Sequence, residues 1–311
     1  MKEPRHTAED LKIMQAWPLS RKIQVTQTRI MEWYYRFNGM VSVSISGGKD
    51  SAVLLDLARR CFPDIEAVFV DTGLEFPEVR KIAIETPNTT VLRPAMRFDE
   101  VVREYGWCYP SKDVAHTIYY ARKGSLWALE RMYGINKDGT PNGFRQSRYG
   151  KWAYLLDSPF IISAKCCRVM KESPLEKYKR KSGKHPIVGT MAAESQRRKQ
   201  SWLQSGCNSF DSKRPSSKPI SFWTNQNILE YIKRYKLPIA SVYGDIVSDK
   251  KGRLITTKEQ RTGCTFCPVG CHRDKVNRFQ RMAITHPKLH KYCMDALGLG
   301  AFLHYIGVPH R

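Results

Sequence analysis

The chain has 311 residues, 41% of them hydrophobic, and its 52 Lys and Arg against 29 Asp and Glu leave a formal net charge of +23. That length buries one large core or two smaller ones, and a positive excess of this size suits an anionic partner, nucleic acid or phosphate-bearing small substrates. No apolar run reaches the roughly 18 residues of a membrane span, the N-terminus Met-Lys-Glu-Pro-Arg-His lacks a signal-peptide core, and nine cysteines then read as reduced thiols, metal ligands or redox groups in a cytoplasmic protein. Residues 8–38 read as helical, with Leu11, Ile13, Met14, Ile23, Ile30, Met31 and Tyr34 as the apolar positions. A β-branched strand is expected at 41–46, a helix at 50–61, and a second strand at Ala67–Asp71. Thr72-Gly73 turns the chain, a helix starts near Pro77-Glu78, and a third strand follows at about Thr90–Arg93. One long helix is expected over 113–134, then a basic, aromatic-studded loop at about 135–155 that suits nucleic-acid contact or a plain surface loop. The pattern resumes with a strand at Pro186–Thr190, a helix near Ala193-Glu194-Ser195, and a helix over Thr224–Tyr235 with Thr224 as N-cap. Two further short helices complete the cysteine-rich last third.

Alternation of strand and helix at this spacing predicts an α/β fold, a doubly wound and mostly parallel sheet with ligands at the carboxyl ends of the strands. The expected organisation is an N-terminal helical segment over 1–38, an α/β domain over 39–240, and a C-terminal cysteine-rich helical extension over 241–311.

The run Val43-Ser44-Ile45-Ser46-Gly47-Gly48-Lys49-Asp50-Ser51 carries the chemistry most plainly. A strand ends in two glycines and hands over to an amphipathic helix. Backbone N–H groups and the helix N-terminus can close on an anion, with Lys49 as a point charge and Ser46 and Ser51 as hydroxyl donors. The spacing is not that of a Walker A loop. It resembles the PP-loop of the ATP pyrophosphatase (adenine nucleotide α-hydrolase-like, Rossmann-like) superfamily. That resemblance implies ATP cleaved between the α- and β-phosphates, with Ser44, Ser46, Gly47, Gly48, Lys49, Asp50 and Ser51 around the nucleotide, Lys49 and Asp50 catalytic, and Mg²⁺ as a cofactor.

Two cysteine motifs follow. Lys165-Cys166-Cys167-Arg168 leads to Lys171-Glu-Ser-Pro174-Leu175, and Cys264-Thr-Phe-Cys267 is followed by Cys271-His272. Soft thiolates at Cys-x-x-Cys spacing select zinc or iron–sulfur centres. The full pattern resembles the [4Fe–4S] motif of the assimilatory adenylylsulfate (APS) reductases, which implies Cys166, Cys167, Cys264 and Cys267 on one cluster. Cys271 is an alternative ligand, since related PP-loop enzymes use one upstream and three downstream cysteines, and zinc stays an alternative metal. Cys61, Cys108 and Cys207 stand alone and read as small buried hydrophobes.

Taken together, these motifs resemble the PAPS reductase family in order from about 40 to 270. The resemblance implies adenosine contacts from Asp71, Thr72 and Gly73, with Asp71 accepting from ribose or adenine, reaching Mg²⁺, or serving as a plain turn residue. Gly189-Thr-Met-Ala-Ala-Glu194-Ser195-Gln-Arg197-Arg198 resembles the family's Gly-x-Arg-x-x-Glu-Ser-x-x-Arg element. Gly189, Glu194 and Ser195 are assigned to the nucleotide, and Arg197 is read as the arginine that clamps a phosphoryl or sulfonyl oxygen. Met191 stands at the first arginine position. The family's reductases attack sulfur with a cysteine in a C-terminal Glu-Cys-Gly-Leu-His segment. Here Tyr305-Ile-Gly-Val-Pro-His-Arg311 carries none, and Cys293 reads as part of a packed helix.

The leading expectation is therefore an adenylating sulfurtransferase that acts on DNA or tRNA, like the enzymes of DNA phosphorothioation and tRNA thiolation, with a cysteine desulfurase as partner. The alternative is an APS or PAPS reductase served by thioredoxin. A third is a nucleic-acid-binding protein of the same fold without catalysis, against which the intact Ser-Gly-Gly-Lys-Asp-Ser loop argues. Oligomeric state is left open.

Overall fold

The computed structural model describes residues 5–142, 149–210, 212 and 214–311. They fall into two compact units: 1–71 with 75–93 and 175–262, and 72–74 with 94–174 and 263–311.

The first unit is built on the strands that the short β-branched runs predict. These are β1 (Val41–Ile45), β2 (Ala67–Val70), β3 (Thr89–Leu92), β4 (His185–Val188), β5 (Asn208–Ser209) and β6 (Ser216–Ser217). Their order across the sheet is β3-β2-β1-β4-β6-β5, parallel except at the β5–β6 edge. Chain order reverses direction between β1 and β4, so the doubly wound sheet has its switch point there, where ligands of such sheets bind.

Helices α1 (Ala8–Ala16), α2 (Leu19–Arg36), α3 (Lys49–Cys61) and α4 (Pro77–Glu85) belong to this unit. Residues 8–38 are helical as expected, in two helices, because Pro18 lacks an N–H and disfavours helix at Trp17. Trp33, Val43, Leu54, Phe69, Ile187 and Trp223 form its core. An edge group holds Glu66: burial alone would raise its carboxyl pKa, but hydrogen bonds from Lys184, Thr90 and Tyr178 outweigh that and lower it.

The second unit is helical. It holds α5 (Phe98–Tyr105), α6 (Lys112–Ala121) and α7 (Leu126–Tyr133). The long helix expected over 113–134 is interrupted at Gly124, whose φ of +76° ends the first segment. Part of the expected loop is ordered as a 3₁₀ segment at Gly150–Asp157, while residues 143–148 lie outside the described residues.

Lys165–Cys167 and the π turn Arg168–Glu172 lead into α8 (Ser173–Ser182), most of which belongs to the first unit. The first unit continues with α9 (Gln196–Ser205), α10 (Asn225–Tyr235) and the hairpin β7 (Ile246–Ser248) and β8 (Leu254–Thr256). Thr224 is the N-cap of α10 as expected, with its backbone N–H held by the Asn227 side chain at 3.0 Å. Back in the second unit come α11 (Arg278–Thr285), α12 (Pro287–Lys291), a π turn at Tyr292–Ala296, and α13 (Leu299–Tyr305). Its core gathers Val101, Trp107, Ile118, Phe266, Phe279 and Phe302. Among the described residues no helix is long and apolar enough to cross a membrane.

Candidate functional site

In the first unit, the turn after β1 is shaped by Gly47. Its φ is +70°, and a Cβ there would stand 2.2 Å from the Val79 carbonyl oxygen, so only glycine fits. The loop is then stitched to the first turn of α3. Ser46 N–H donates to Ser51 Oγ at 3.1 Å, and Ser51 Oγ donates to the Gly48 carbonyl at 2.9 Å. Ser44 precedes the turn on β1, paired with Val68 on one side and Val188 on the other. Gly189, just past β4, lies close enough that a Cβ would meet Asp50, Ser51 and Leu54 at 3.5 Å.

Lys49 is almost fully buried, with Nζ 3.3 Å from Asp50 Oδ1 and 5.7 Å from the Tyr243 ring centre. Its backbone N–H donates to the Tyr243 hydroxyl, which also lies 2.6 Å from Thr262 Oγ1. Nothing in the local sequence signals Tyr243 or Thr262, both far along the chain.

The element after β4 is organised by its own polar groups. Met191 is buried, and its N–H donates to the Glu194 carboxylate at 2.9 Å. Ser195 caps α9, accepting from Arg198 N–H at 3.3 Å. The residue that pairs with Glu194 and stands in the field of Asp50 is Arg198. Arg197 and Arg198 are both exposed on this helix, and the Glu194 ion pair is what sets Arg198 apart. Burial lowers the Arg198 pKa, nearby Arg261 lowers it further, and Asp50 opposes both. Lys218 is pushed down by burial and by Arg198, while its Nζ donates to Ser201 Oγ at 2.9 Å. Arg198 is thus repelled by both Arg261 and Lys218, a cost that a bound anion offsets.

The Asp71-Thr72-Gly73 motif is divided between the units. Asp71 accepts a bidentate pair from Arg80 at 2.8 and 2.7 Å, and this raises the arginine pKa. Thr72 Oγ1 accepts from Leu74 N–H at 3.2 Å, and Gly73 takes a φ of +70°.

The second unit holds the cysteines. Gly106 has a φ of +69°, and a Cβ there would overlap the Ile161 carbonyl. Trp107 N–H donates to that carbonyl at 2.9 Å, and the Trp107 carbonyl accepts from Ser163 N–H at 3.1 Å. This pairing brings Cys108 beside the helical turn that carries Cys166 and Cys167. The Cys264 loop is fixed separately: Thr265 donates twice to the Leu74 carbonyl, at 2.7 and 3.0 Å, and Cys267 N–H closes a turn on Cys264 at 3.1 Å.

The result is a small, partly open pocket of about 30 Å³ lined by Cys108, Cys166, Cys167, Cys264 and Cys267 among Leu74, Phe98, Trp107, Met170 and Phe266. Cys271 is fully buried nearby in the core and is not part of that wall. Cys108, which the sequence reads as a core hydrophobe, is.

The thiols interact. A hydrogen bond with Cys108 raises the Cys166 pKa, and one with Cys166 raises that of Cys167. Burial pushes Cys267 up to about 11 and Cys271 up to about 12. Lys112 hydrogen-bonds Cys167; burial would lower its pKa, but the Cys167 and Cys108 sulfurs prevail and raise it.

Among the described residues no three His, Cys, Asp or Glu side chains converge on one point as a single metal ion requires. A mononuclear zinc needs every sulfur about 2.3 Å from one centre. Soft donors spread over the wall of an apolar cavity suit a group with several metal atoms, each taking its own thiolate. By donor chemistry the thiols fit a soft metal centre, an iron–sulfur cluster or zinc.

Cations also stack on aromatic rings in this unit: Arg131 over Tyr149 at 5.2 Å, Lys123 over Tyr119 at 4.5 Å, and Lys151 over Trp152 at 5.3 Å. Trp127 and Tyr154 are exposed alongside them in sequence.

Residues 40–110 and 128–274 match the family model of the phosphoadenosine phosphosulfate reductase domain. An uncharacterized protein of Methanocaldococcus jannaschii is 26% identical over 282 residues, covering 89% of this chain and 45% of that protein. The adenosine 5'-phosphosulfate reductase of Staphylococcus haemolyticus is 24% identical over 227 residues, covering 69% of this chain and 70% of that protein. The chain spans less than half the length of the first curated relatives it matches. Among solved structures, the phosphoadenylyl-sulfate reductase of Candida auris aligns with a TM-score of 0.40 and 15% identity, over 81% of this chain and 100% of that one.

Proposed function

The chain belongs to the phosphoadenosine phosphosulfate reductase domain family, and from that premise we propose that it is a PP-loop enzyme that adenylates a nucleic acid, DNA or tRNA, for sulfur insertion. The observation that carries the nucleotide half is the glycine turn of the Ser46–Ser51 loop with buried Lys49 3.3 Å from Asp50, and with Arg198 in the field of Asp50. The net charge of +23 and the cation–aromatic pairs of the second unit support the acceptor half.

In this reading the loop amides and the α3 N-terminus bind the phosphates of ATP. Lys49 and Arg198 stabilise charge as the bond between the α- and β-phosphates breaks and pyrophosphate leaves. Asp50 holds Lys49 in place, and Mg²⁺ would neutralise further phosphate charge beside it. An acceptor oxygen takes the adenylyl group and becomes a leaving group. Sulfide sulfur then replaces it, and AMP departs with that oxygen. An iron–sulfur cluster held by the cavity cysteines would supply the sulfur-handling or electron-transfer chemistry. A cysteine desulfurase fits as the sulfur source, its persulfide sulfur brought to the sulfide level by two electrons from a thiol reductant, in a reducing compartment such as the cytoplasm.

A second reading is favoured by the relatives, several of which are APS or PAPS reductases: thioredoxin-dependent reduction of adenylylsulfate to sulfite. Pyrophosphate release from ATP, measured with and without tRNA or duplex DNA, separates the two. Nucleic-acid-stimulated release supports the first. Sulfite formed from APS or PAPS, with no pyrophosphate from ATP, replaces it with the second.

A further inference from the structure

We propose that Cys108 is a ligand of the cysteine-lined cavity, interchangeable with Cys166 at one metal corner, and that Cys271 is not a ligand. This rests on the iron–sulfur reading above. Three observations point to it. Cys108 lines the cavity with Cys166, Cys167, Cys264 and Cys267, whereas Cys271 does not. Its side chain is hydrogen-bonded to that of Cys166, which sets the two thiols side by side on the cavity wall. Its position is rigid: the pairing of Trp107 with Ile161 and Ser163 fixes the backbone one residue away, and Cys108 itself is 3% exposed.

Five thiols for four corners give the cavity one more donor than a cluster uses. The surplus sits beside Cys166. When one sulfur of the pair takes the metal, its proton passes along their hydrogen bond to the other, which leaves as the neutral thiol. No electrons are transferred, and the net charge of the thiol set is unchanged. Lys112, hydrogen-bonded to Cys167 and close to Cys108, offsets part of the negative charge in either arrangement.

The test uses the full chain, reconstituted without oxygen from ferrous iron and sulfide. Iron per chain, visible thiolate-to-iron absorption and the electron paramagnetic resonance of the reduced form are the readouts. Cys271→Ser is expected to match the unsubstituted chain. Cys166→Ser and Cys108→Ser are each expected to keep iron, with a shifted resonance for Cys166→Ser, and Cys108→Ser/Cys166→Ser to lose it.

Loss of iron in Cys166→Ser alone overturns the proposal, as does retention in the double variant or loss in Cys271→Ser. If a variant fails to fold, alkylation of the unsubstituted chain in mild denaturant decides. Iron loading should protect Cys108 as it protects Cys166, and no protection of Cys108 overturns the assignment. An unsubstituted chain that takes up no iron instead overturns the cluster reading itself.

Discussion

The Tyr243 hydroxyl accepts the backbone N–H of Lys49 at 3.2 Å, across 194 positions of the chain, and the same oxygen lies 2.6 Å from Thr262 Oγ1. A residue far downstream therefore completes the hydrogen bonding of the Ser46–Ser51 loop. Desolvation keeps the phenol protonated, raising its pKa.

Tyr243→Phe leaves the Lys49 amide and the Thr262 hydroxyl without that partner inside a buried site. An unmade buried hydrogen bond costs about 1–3 kcal/mol. Urea denaturation of the nucleotide-free protein should show a loss in that range, with native far-ultraviolet dichroism retained. A change within error would mean the contact is replaced by water at no cost.

Gly47→Ala should be far more damaging to binding than its size suggests. The left-handed backbone and the 2.2 Å approach to the Val79 carbonyl force the turn to move, and strained backbone of this kind costs about 1–3 kcal/mol before any overlap is counted. Calorimetric titration with ATP should show at least a tenfold loss of affinity, by about 1.4 kcal/mol per decade. Wild-type affinity would show that the loop tolerates displacement.

Arg198→Ala and Arg197→Ala should separate cleanly. A charge-assisted hydrogen bond contributes about 1.5–3 kcal/mol, so losing Arg198 should weaken ATP binding by roughly 10- to 100-fold. Arg197, one position away, is exposed like Arg198 but does not share its Glu194 pair, and its removal should stay within about twofold, as surface substitutions without such a partner usually do. Equal effects would remove Arg198 from the nucleotide site.

Lys22 gives a pH test of the first unit. It is fully buried, donates to the Gln15 carbonyl at 2.7 Å and to Asn227 Oδ1 at 2.6 Å, and burial lowers its pKa from 10.5 to about 8. Below that value it is charged in both states, and folding bears the full cost of burial. Between about 8 and 10.5 the unfolded chain holds the proton that the folded chain has lost, so stability rises with pH. Lys22→Met has no such group. The stability of the unsubstituted chain relative to this variant should increase across that window, measured by urea midpoints, and a flat difference would refute the shift.

Local chemistry made much of this legible. The β1 strand, its glycine turn and the α3 N-terminus appear where the sequence puts them, because each depends on neighbours within a few residues. The helix over 113–134 was less readable: apolar spacing continues through Gly124, and only the glycine's left-handed backbone marks the break. Arg197 and Arg198 were harder still. Neighbours on a helix point about 100° apart, and which of them meets Glu194 depends on how α9 is capped by Ser195.

By itself, then, the sequence determined the alternation of strand and helix, the glycine turn after β1, the family and the supply of thiols. These follow from backbone preferences and side-chain chemistry that act over short stretches. Only the tertiary structure decided that β4 lies beside β1, that Tyr243 meets the loop, that Arg198 pairs with Glu194, and that Cys108 lines the cavity while Cys271 does not. Those choices depend on which distant segments bury their apolar faces together and satisfy each other's hydrogen bonds, and linear spacing carries no record of that.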